Sequence, residues 1–286
     1  MRSYSSLLII SLIGILTGSI AHAQTEKKKR HRTGSVYLSW GYNTEWYTPS
    51  TVHIEQPSLG NSYDLVQVSG HDHRGWDRKL LQQEPTIPQY NYRLGYYFNE
   101  KQDLAIEINF DHTKYIITDG QYVELKGTVN NKPVHDPSLL FSSQNGFYYY
   151  LNNGANFLLF NLVKRMGLYR AKTNNLAIDL TGKAGIGPVI PHVENSFFGK
   201  ANDPHFQIGG WNAGLEAAVR ATFMRYAYLE LAEKIDYARY SNLKIYEGTA
   251  RQSFGSCQLI LSLGVVIPTT KHNPMFAHGK AGVPNK

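Results

Sequence analysis

The sequence predicts an all-β chain that folds as an eight-stranded antiparallel transmembrane β-barrel, with ten strands as the alternative count. Segments of about 9 to 11 residues alternate apolar and polar side chains, which suits a tilted strand that crosses a bilayer. The joins between these segments are alternately short and long, and the chain opens with a secretory leader. A soluble β-sandwich also alternates, but the recurrence of the pattern, with charges in mid-strand, favours the barrel.

The start of the chain predicts export. Arg2 is followed by an apolar run at residues 7–16 and by small residues up to Ala23, as in a signal peptide. We therefore divide the chain into a signal peptide at 1–23, a basic periplasmic arm at 24–33, the barrel at 34–268 and a polar periplasmic tail at 269–286. No later segment has the roughly 18 consecutive apolar residues of a membrane-spanning helix, which excludes a helical membrane protein.

The formal net charge of +7 comes mostly from one basic run beside the predicted cleavage site: Lys27, Lys28, Lys29, Arg30 and Arg32. Such a run can bind nucleic acid or anionic lipid, but after an export signal we expect a solvated arm and no nucleic-acid partner. Cys257 is the only cysteine, so no disulfide forms within the chain. Its place in the alternation predicts a lipid-facing side chain.

A hairpin pattern organises the predicted strands. Residues 90–98 and 104–111 alternate on either side of a polar turn. The other strands are predicted at residues 35–46, within 156–166, within 176–190, at 210–223, from about 227, and at 256–267. Short β-like pieces at 52–56 and 63–68 lie in the first long join.

The lengths of the joins predict the orientation. Short joins follow Phe98, Met166 and Phe223, whereas long joins follow Trp46, Asp111, Ile190 and about Tyr237. Outer-membrane barrels have short periplasmic turns and longer extracellular loops. The sequence therefore predicts a bacterial outer-membrane protein with both ends of the barrel in the periplasm.

Charged residues on the polar faces predict a lumen lined with ion pairs. The pairing candidates are Arg93, Glu107, Asp179, Lys183, Glu216, Arg220 and Glu230, with Glu45, Asp111, Lys234 and Asp236 also facing inward. An eight-stranded barrel is just wide enough to be filled by side chains, and charges removed from water need partners. A narrow ion pathway or proton relay is the alternative. Strict alternation also puts Glu233 on the lipid face, unless a bulge shifts the register there.

Histidines in the first long join provide a candidate metal site. His71, His73 and the nearby Asp77 carry ligand types that suit zinc or copper. The alternative is that these are ordinary surface histidines. The sequence indicates no other cofactor.

Size, leader and join pattern over residues 34–268 resemble the small eight-stranded outer-membrane barrels, which include OmpA-like domains and the lipid A acyltransferase and deacylase barrels. The segment TIPQYNYRLGY at 86–96 also resembles one in other bacterial outer-membrane proteins. The resemblance implies an alternative function, modification of outer-leaflet lipid A. The nearest match to a deacylase site holds Arg239 where a base is needed before Ser241, and arginine cannot take a proton. Ser69, His71 and Asp72 are an unspecific candidate for acyl transfer.

The function predicted first is an integral outer-membrane barrel with a charge-plugged lumen and long extracellular loops, in a structural or ligand-binding role. We expect no catalytic residue. The expected partners are outer-membrane lipid and lipopolysaccharide and an extracellular ligand at the loops, and we expect a monomer.

Overall fold

The structure of the chain is a computed structural model that describes residues 34–73, 89–99, 101–173 and 175–269. The predicted signal peptide, the basic arm, Asp77 and the tail beyond Thr269 lie outside the described residues. Among the described residues, no helix is both long and apolar enough to span a membrane.

The described residues form seventeen strands and two short 3-10 helices, at Pro57–Leu59 and Ser143–Asn145. The strands are β1 (Ser35–Tyr47), β2 (Ser50–Gln56), β3 (Asn61–Val68), β4 (Gly70–His71), β5 (Tyr90–Tyr97), β6 (Leu104–His112), β7 (Tyr115–Ile117), β8 (Gln121–Val129), β9 (Lys132–Phe141), β10 (Tyr148–Leu151), β11 (Phe157–Arg170), β12 (Leu176–Pro188), β13 (Glu194–Phe197), β14 (Lys200–Ala201), β15 (Gly210–Phe223), β16 (Ala227–Ile245) and β17 (Gly248–Pro268).

Eight of these strands close into a ring. The order is β1, β5, β6, β11, β12, β15, β16 and β17, and every neighbouring pair is antiparallel. Strand β17 returns to pair with β1 from Ser256↔Tyr47 to Pro268↔Ser35. Closure satisfies the backbone hydrogen bonds of both would-be edge strands, which an open sheet inside lipid could not do. The predicted eight-stranded barrel is confirmed, and the ten-strand alternative is wrong.

The outer wall of the ring is apolar and exposed. Leu263 on β17 is 63% exposed and Ile106 on β6 is 59% exposed. The residues on either side of each in its own strand are buried. The other exposed apolar side chains of this belt include Leu38, Leu94, Ile108, Leu162, Ile186, Val219, Leu229, Leu231, Leu261, Val265 and Ile267. A soluble protein does not leave so continuous an apolar surface uncovered, and therefore lipid covers the belt.

The long joins fold into a second structure at one end of the ring. Strand β17 pairs there with β2, and the sheet continues through β3, β8 and β9. A second sheet of β14, β13, β10, β7 and β4 lies nearby in the fold, and buried apolar side chains from both sheets form one core. We call this structure the cap: strands β2–β4, β7–β10, β13 and β14, with residues 240–254 of the β16–β17 hairpin.

One predicted join is wrong. The sequence predicts a long loop after about Tyr237 and a last strand from residue 256, but β16 runs to Ile245 and β17 starts at Gly248. A two-residue turn joins them, with Glu247 in the left-handed region at a φ of 52°. The strands extend beyond the membrane because their inward residues there, including Leu243 and Ala250, are buried in the core of the cap.

Glu233 lies on the outer wall. Residues 227–240 of β16 alternate strictly between exposed and buried, and Glu233 is exposed, in register with Ala217 and Leu259. The irregularity in this strand comes later, between Tyr240 and Leu243. Of the two alternatives that the sequence left open for Glu233, the bulge is therefore excluded. Cys257 also lies on the outer wall, where its Sγ is 3.8 Å from Glu233 Oε1.

Candidate functional site: the charged lumen and the cap

The inside of the ring holds the charged residues that alternation assigns to the polar face. All eleven are at most 6% exposed: Glu45, Arg93, Glu107, Asp111, Asp179, Lys183, Glu216, Arg220, Glu230, Lys234 and Asp236. The apolar belt surrounds them, so bulk water does not reach these groups from the side. Their electrostatic partners must come from neighbouring strands across the lumen.

Lys183 lies at the centre of three carboxylates. Its Nζ is 2.9 Å from Glu216 Oε1, 3.1 Å from Glu230 Oε1 and 3.2 Å from Glu107 Oε2. The three glutamates come from β15, β16 and β6, so one ammonium group connects three strands in addition to its own. Three N–H donors in a compact group suit this arrangement.

Arg93 contacts the same layer from β5. Its guanidinium is 3.0 Å from Glu216, 3.6 Å from Glu107 and 3.9 Å from Asp111. None of its N–H groups is aligned for a hydrogen bond within the described part of the chain. The interaction of Arg93 with Glu107, which the sequence analysis expected, is therefore an ion pair without directed hydrogen bonds, and Glu216 is the nearer partner.

Arg220 lies at the end of the lumen near the short joins. Its Nε donates to Glu230 at 2.6 Å, and its guanidinium carbon lies 4.1 Å from the ring centroid of Tyr228 and 4.8 Å from that of Tyr37. Tyr37 donates to Glu107 Oε2 at 2.7 Å and stacks at a tilt against Tyr97. These tyrosines form a buried layer across this end of the barrel.

Asp179 contacts two arginines that the sequence did not predict as its partners. Asp179 is in register with Arg220, yet its carboxylate contacts Arg170 at 2.5 Å and Arg165 at 4.0 Å. Arg165 is 7% exposed and its guanidinium lies 4.8 Å from the Tyr97 ring. Arg165 lies four positions after Asn161 on β11, so the alternation of this strand puts both side chains on the inner face.

Toward the cap, the lumen is lined by acids and amides. Lys234 contacts Asp111 through Nζ and Oδ2 and lies 3.4 Å from Asp236. Gln258 donates to Asp236 at 3.0 Å and accepts from Asn43 at 2.9 Å. This layer therefore continues the pattern in which each cation contacts carboxylates from other positions of the wall.

The cap covers the opposite end of the lumen from the short joins. Tyr47 donates to Glu45 Oε2 at 2.9 Å or to Lys114 O at 2.7 Å, and its ring packs on Tyr115 and Phe254. The Tyr115 and Phe254 rings stack with centroids 4.6 Å apart. Burial raises the pKa of Tyr115 to about 12. The charged lumen thus passes directly into the apolar core of the cap.

The candidate metal ligands are only partly described. His71 Nδ1 lies 2.8 Å from the backbone oxygen of Asp72, and Asp77 is outside the described residues. In the ranges that the structure describes, no three His, Cys, Asp or Glu side chains are grouped to hold a metal ion. A site at His71, His73 and Asp77 stays a prediction.

The structure places a histidine near Ser241 of the deacylase-like match, but this histidine is not available as a base. His53 of β2 lines the same cavity as Ser241, which the sequence could not foresee. However, its Nδ1 is 2.6 Å from Asp64 and its Nε2 is 2.7 Å from Glu55, and this hydrogen bond lowers the pKa of Glu55. Since carboxylates occupy both ring nitrogens, neither can take a proton from Ser241.

The side chains of Ser69, His71 and Asp72, the candidate for acyl transfer, are not hydrogen-bonded to one another in the part of the chain that the structure describes either. The Asp72 carboxylate accepts from the backbone of Glu45 at 2.7 Å and from Thr44 Oγ1 at 3.1 Å. In the described residues, the His71 ring hydrogen-bonds the backbone oxygen of Asp72, and the backbone of Ser69 hydrogen-bonds the Gln121 side chain. The Asp72 carboxylate therefore fixes the end of β1, and the contact that His71 makes with Asp72 is with its backbone oxygen.

Several solved structures resemble this one. OprG of Pseudomonas aeruginosa is 10% identical, with a TM-score of 0.41 over 83% of this chain and 97% of that chain. Ail of Yersinia pestis, solved with the heparin analogue sucrose octasulfate, is 11% identical, with a TM-score of 0.31 over 82% and 99%. The protease OmpT of Escherichia coli is 8% identical, with a TM-score of 0.34 over 86% and 99%. No protein-family model matches the sequence, and no curated protein is significantly similar to it.

The fold itself fixes where the protein resides. Antiparallel strands can cross lipid only as a closed ring, and this ring carries its apolar residues outside and its charges inside. Single-chain barrels with this inversion are built for outer membranes. The chain is an integral β-barrel protein of the bacterial outer membrane, in the small eight-stranded size class.

Proposed function

We propose that the protein is a non-conducting membrane anchor that carries the cap on the cell surface, where the cap has a structural or ligand-binding role. The lumen is plugged by its own ion pairs, and the end with short joins faces the periplasm. In this proposal the barrel supplies a rigid base and transports nothing.

One observation carries the proposal: the cations of the lumen are buried and already engaged. Lys183 contacts three carboxylates, while Arg93 and Arg220 are each 1% exposed. A water-filled pore would hydrate these groups, and an ion crossing the barrel would have to displace them. The tyrosine layer at one end and the apolar core of the cap at the other support the same conclusion.

Labelling of single cysteines on intact cells tests the surface display. In a Cys257→Ser background, we would introduce Lys132→Cys in the β8–β9 hairpin of the cap, or Met224→Cys in the short turn between β15 and β16. A membrane-impermeant maleimide should label the cysteine at position 132 at once. The cysteine at position 224 should react only after the outer membrane is permeabilised. Labelling at position 224 on intact cells, with protection at position 132, would refute the proposed orientation.

A further inference from the structure

Two arginines project from the outer wall just beyond an aromatic pair. The rings of Trp211 and Tyr237 lie with centroids 5.7 Å apart. Arg239 follows Tyr237 by two positions on β16 and is in register with Trp211 on one side and Ser253 on the other. Arg251 shares the outer face of β17 with Ser253, and both arginines are exposed.

Neither arginine side chain makes an ion-pair contact or a hydrogen bond within the part of the chain that the structure describes. The ion pairs and hydrogen bonds there include no partner for the Arg239 or Arg251 side chain. The two acids of the cleft, Asp64 and Glu55, hydrogen-bond the two nitrogens of His53 at 2.6 and 2.7 Å. The hydrogen bond from His53 lowers the pKa of Glu55, and the charge of Arg251 lowers it further without a direct contact. Each guanidinium therefore keeps five N–H donors in the planar arrangement that matches phosphate oxygens.

The arginines line a cleft of suitable size. Two cavities, of about 300 and 420 Å³, are both lined by His53, Arg239, Ser241 and Arg251. Ser253 lines the larger one and adds a further hydroxyl group. Glu55 lines the smaller cavity and Asp64 lines the larger one, and both carboxylates hydrogen-bond His53. The guanidinium and hydroxyl groups of the cleft are the donors that suit an anionic oxygen ligand.

An apolar groove lies against the same cleft. It has a volume of about 400 Å³ and is lined by Ala184, Ala213, Leu215 and Ile235 among others. Tyr237 lines both this groove and the larger polar cavity, so the two share one wall. A ligand that fills both must carry a charged group joined to a hydrocarbon chain.

The height of the cleft agrees with this chemistry. Tryptophan and tyrosine collect at the level of lipid headgroups, and Arg239 is in register with Trp211. The apolar groove then lies at the depth of acyl chains. Basic groups at this level attract anionic headgroups.

We propose that Arg239 and Arg251 bind the phosphate group of an outer-leaflet lipid, with an acyl chain of that lipid in the groove beside Tyr237. The inference rests on the orientation given under the proposed function, and it is independent of the plugged lumen. If the barrel conducted ions, the proposed lipid site would be unaffected. A barrel labelled from the wrong side would place the cleft in the inner leaflet without altering its affinity for phosphate.

Lipid binding by the purified full chain tests the proposal. Native mass spectrometry from detergent would compare diphosphoryl lipid A with the same lipid after enzymatic dephosphorylation, and calorimetry would measure binding of inorganic phosphate. We expect wild type to retain the phosphorylated lipid at least about tenfold more tightly. The double variant Arg239→Gln/Arg251→Gln should lose this preference, and each single variant should lose part of it. The matched double variant Lys126→Gln/Lys132→Gln, in the β8–β9 hairpin, should keep it.

A groove-filling variant separates lipid from free phosphate. Ala213→Trp should weaken the binding of both lipids, because the larger side chain fills the groove. It should leave any binding of inorganic phosphate unchanged. Equal retention of both lipids by wild type would overturn the proposal, and so would an undiminished preference in the arginine double variant. Binding of inorganic phosphate as tight as that of lipid A would also overturn it, because the ligand would then be a soluble anion. Heat-dependent gel migration checks that every variant is folded.

Discussion

Arg220 shows how a single side chain fixes one end of the lumen. It donates to Glu230 at 2.6 Å, lies near the hydroxyl group of Tyr97 at 3.3 Å and packs over the ring of Tyr228. Removing one member of a buried ion pair leaves the other charge uncompensated. The residue is therefore held by charge, hydrogen bonds and aromatic contact together.

Arg220→Ala should destabilise the barrel by about 3–5 kcal/mol, because Glu230 would keep only Lys183 as a contacting cation. Urea unfolding in lipid vesicles, followed by tryptophan fluorescence, measures the change. The exposed Lys132→Ala in the cap is the control and should leave the midpoint unchanged. An Arg220→Ala variant as stable as the parent would mean that water reaches the lumen.

Replacing either of two glutamates on β16 with leucine should change the stability of the barrel, with opposite signs for the two positions. Glu230 faces the lumen and binds Arg220, whereas Glu233 is exposed on the lipid-facing wall. Glu233→Leu should stabilise the barrel by about 1 kcal/mol, since a carboxylate on the lipid face is unfavourable. Glu230→Leu should destabilise it by about 3–5 kcal/mol. The same vesicle assay compares them, and equal signs would contradict the assignment of the two faces.

At the scale of elements, the β16–β17 hairpin joins barrel and cap. Its inner face changes from charged residues in the lumen to apolar ones in the cap, where Phe254 stacks on Tyr115 and Tyr240 donates to Ala155 O at 2.8 Å. The two strands therefore stabilise two environments with one continuous alternation. Disturbing the upper part should affect the cap first.

Phe254→Ala should loosen the cap by about 3–5 kcal/mol, the usual loss for a buried phenylalanine, and leave the barrel folded. Limited proteolysis in detergent should then cut within the cap, while the resistant core keeps its heat-dependent migration on gels. Leu263→Ala, on the lipid-exposed wall, is the control and should leave the cap protected. Loss of the barrel together with the cap would show that the two unfold as one unit.

The cap should also open at alkaline pH. Burial raises the pKa of Tyr115 to about 12, above the value near 10 of an unfolded tyrosine. The stability linked to its neutral form is therefore complete below about pH 10 and is lost as the pH rises toward 12. Ultraviolet absorbance of tyrosinate should show a late-titrating tyrosine that is absent from Tyr115→Phe. A titration unchanged by this substitution would contradict the burial of Tyr115.

At the scale of the whole molecule, the alternation of apolar and polar residues was sufficient to predict the ring of the barrel. It located all eight strands of the ring, with the bounds of Gly210–Phe223 matching the structure, because lipid and lumen impose a strict period of two. It also assigned Arg93 and Lys183 to a buried inner face. The ring has one repeating environment, so local sequence is sufficient to predict it.

The cap could not be predicted in the same way. Its core depends on pairings between distant segments, such as Arg251 with His53 and Ser62 with Thr128, which no local pattern specifies. The same long-range pairing brought His53 into the cavity with Ser241 and extended β16 past Tyr237. Partner choice within the lumen, including that of Arg165, also depends on the shear of the ring and not on the order of residues alone.

We propose that the lumen is closed by its own charges, and single-channel recording in planar bilayers measures whether ions pass through it. The wild-type protein should insert without producing a steady open state, because an ion crossing the lumen would have to break the contacts of Lys183 with its three carboxylates. Arg220→Ala should give brief, irregular openings. A stable and sizeable conductance from the wild-type protein would contradict the claim.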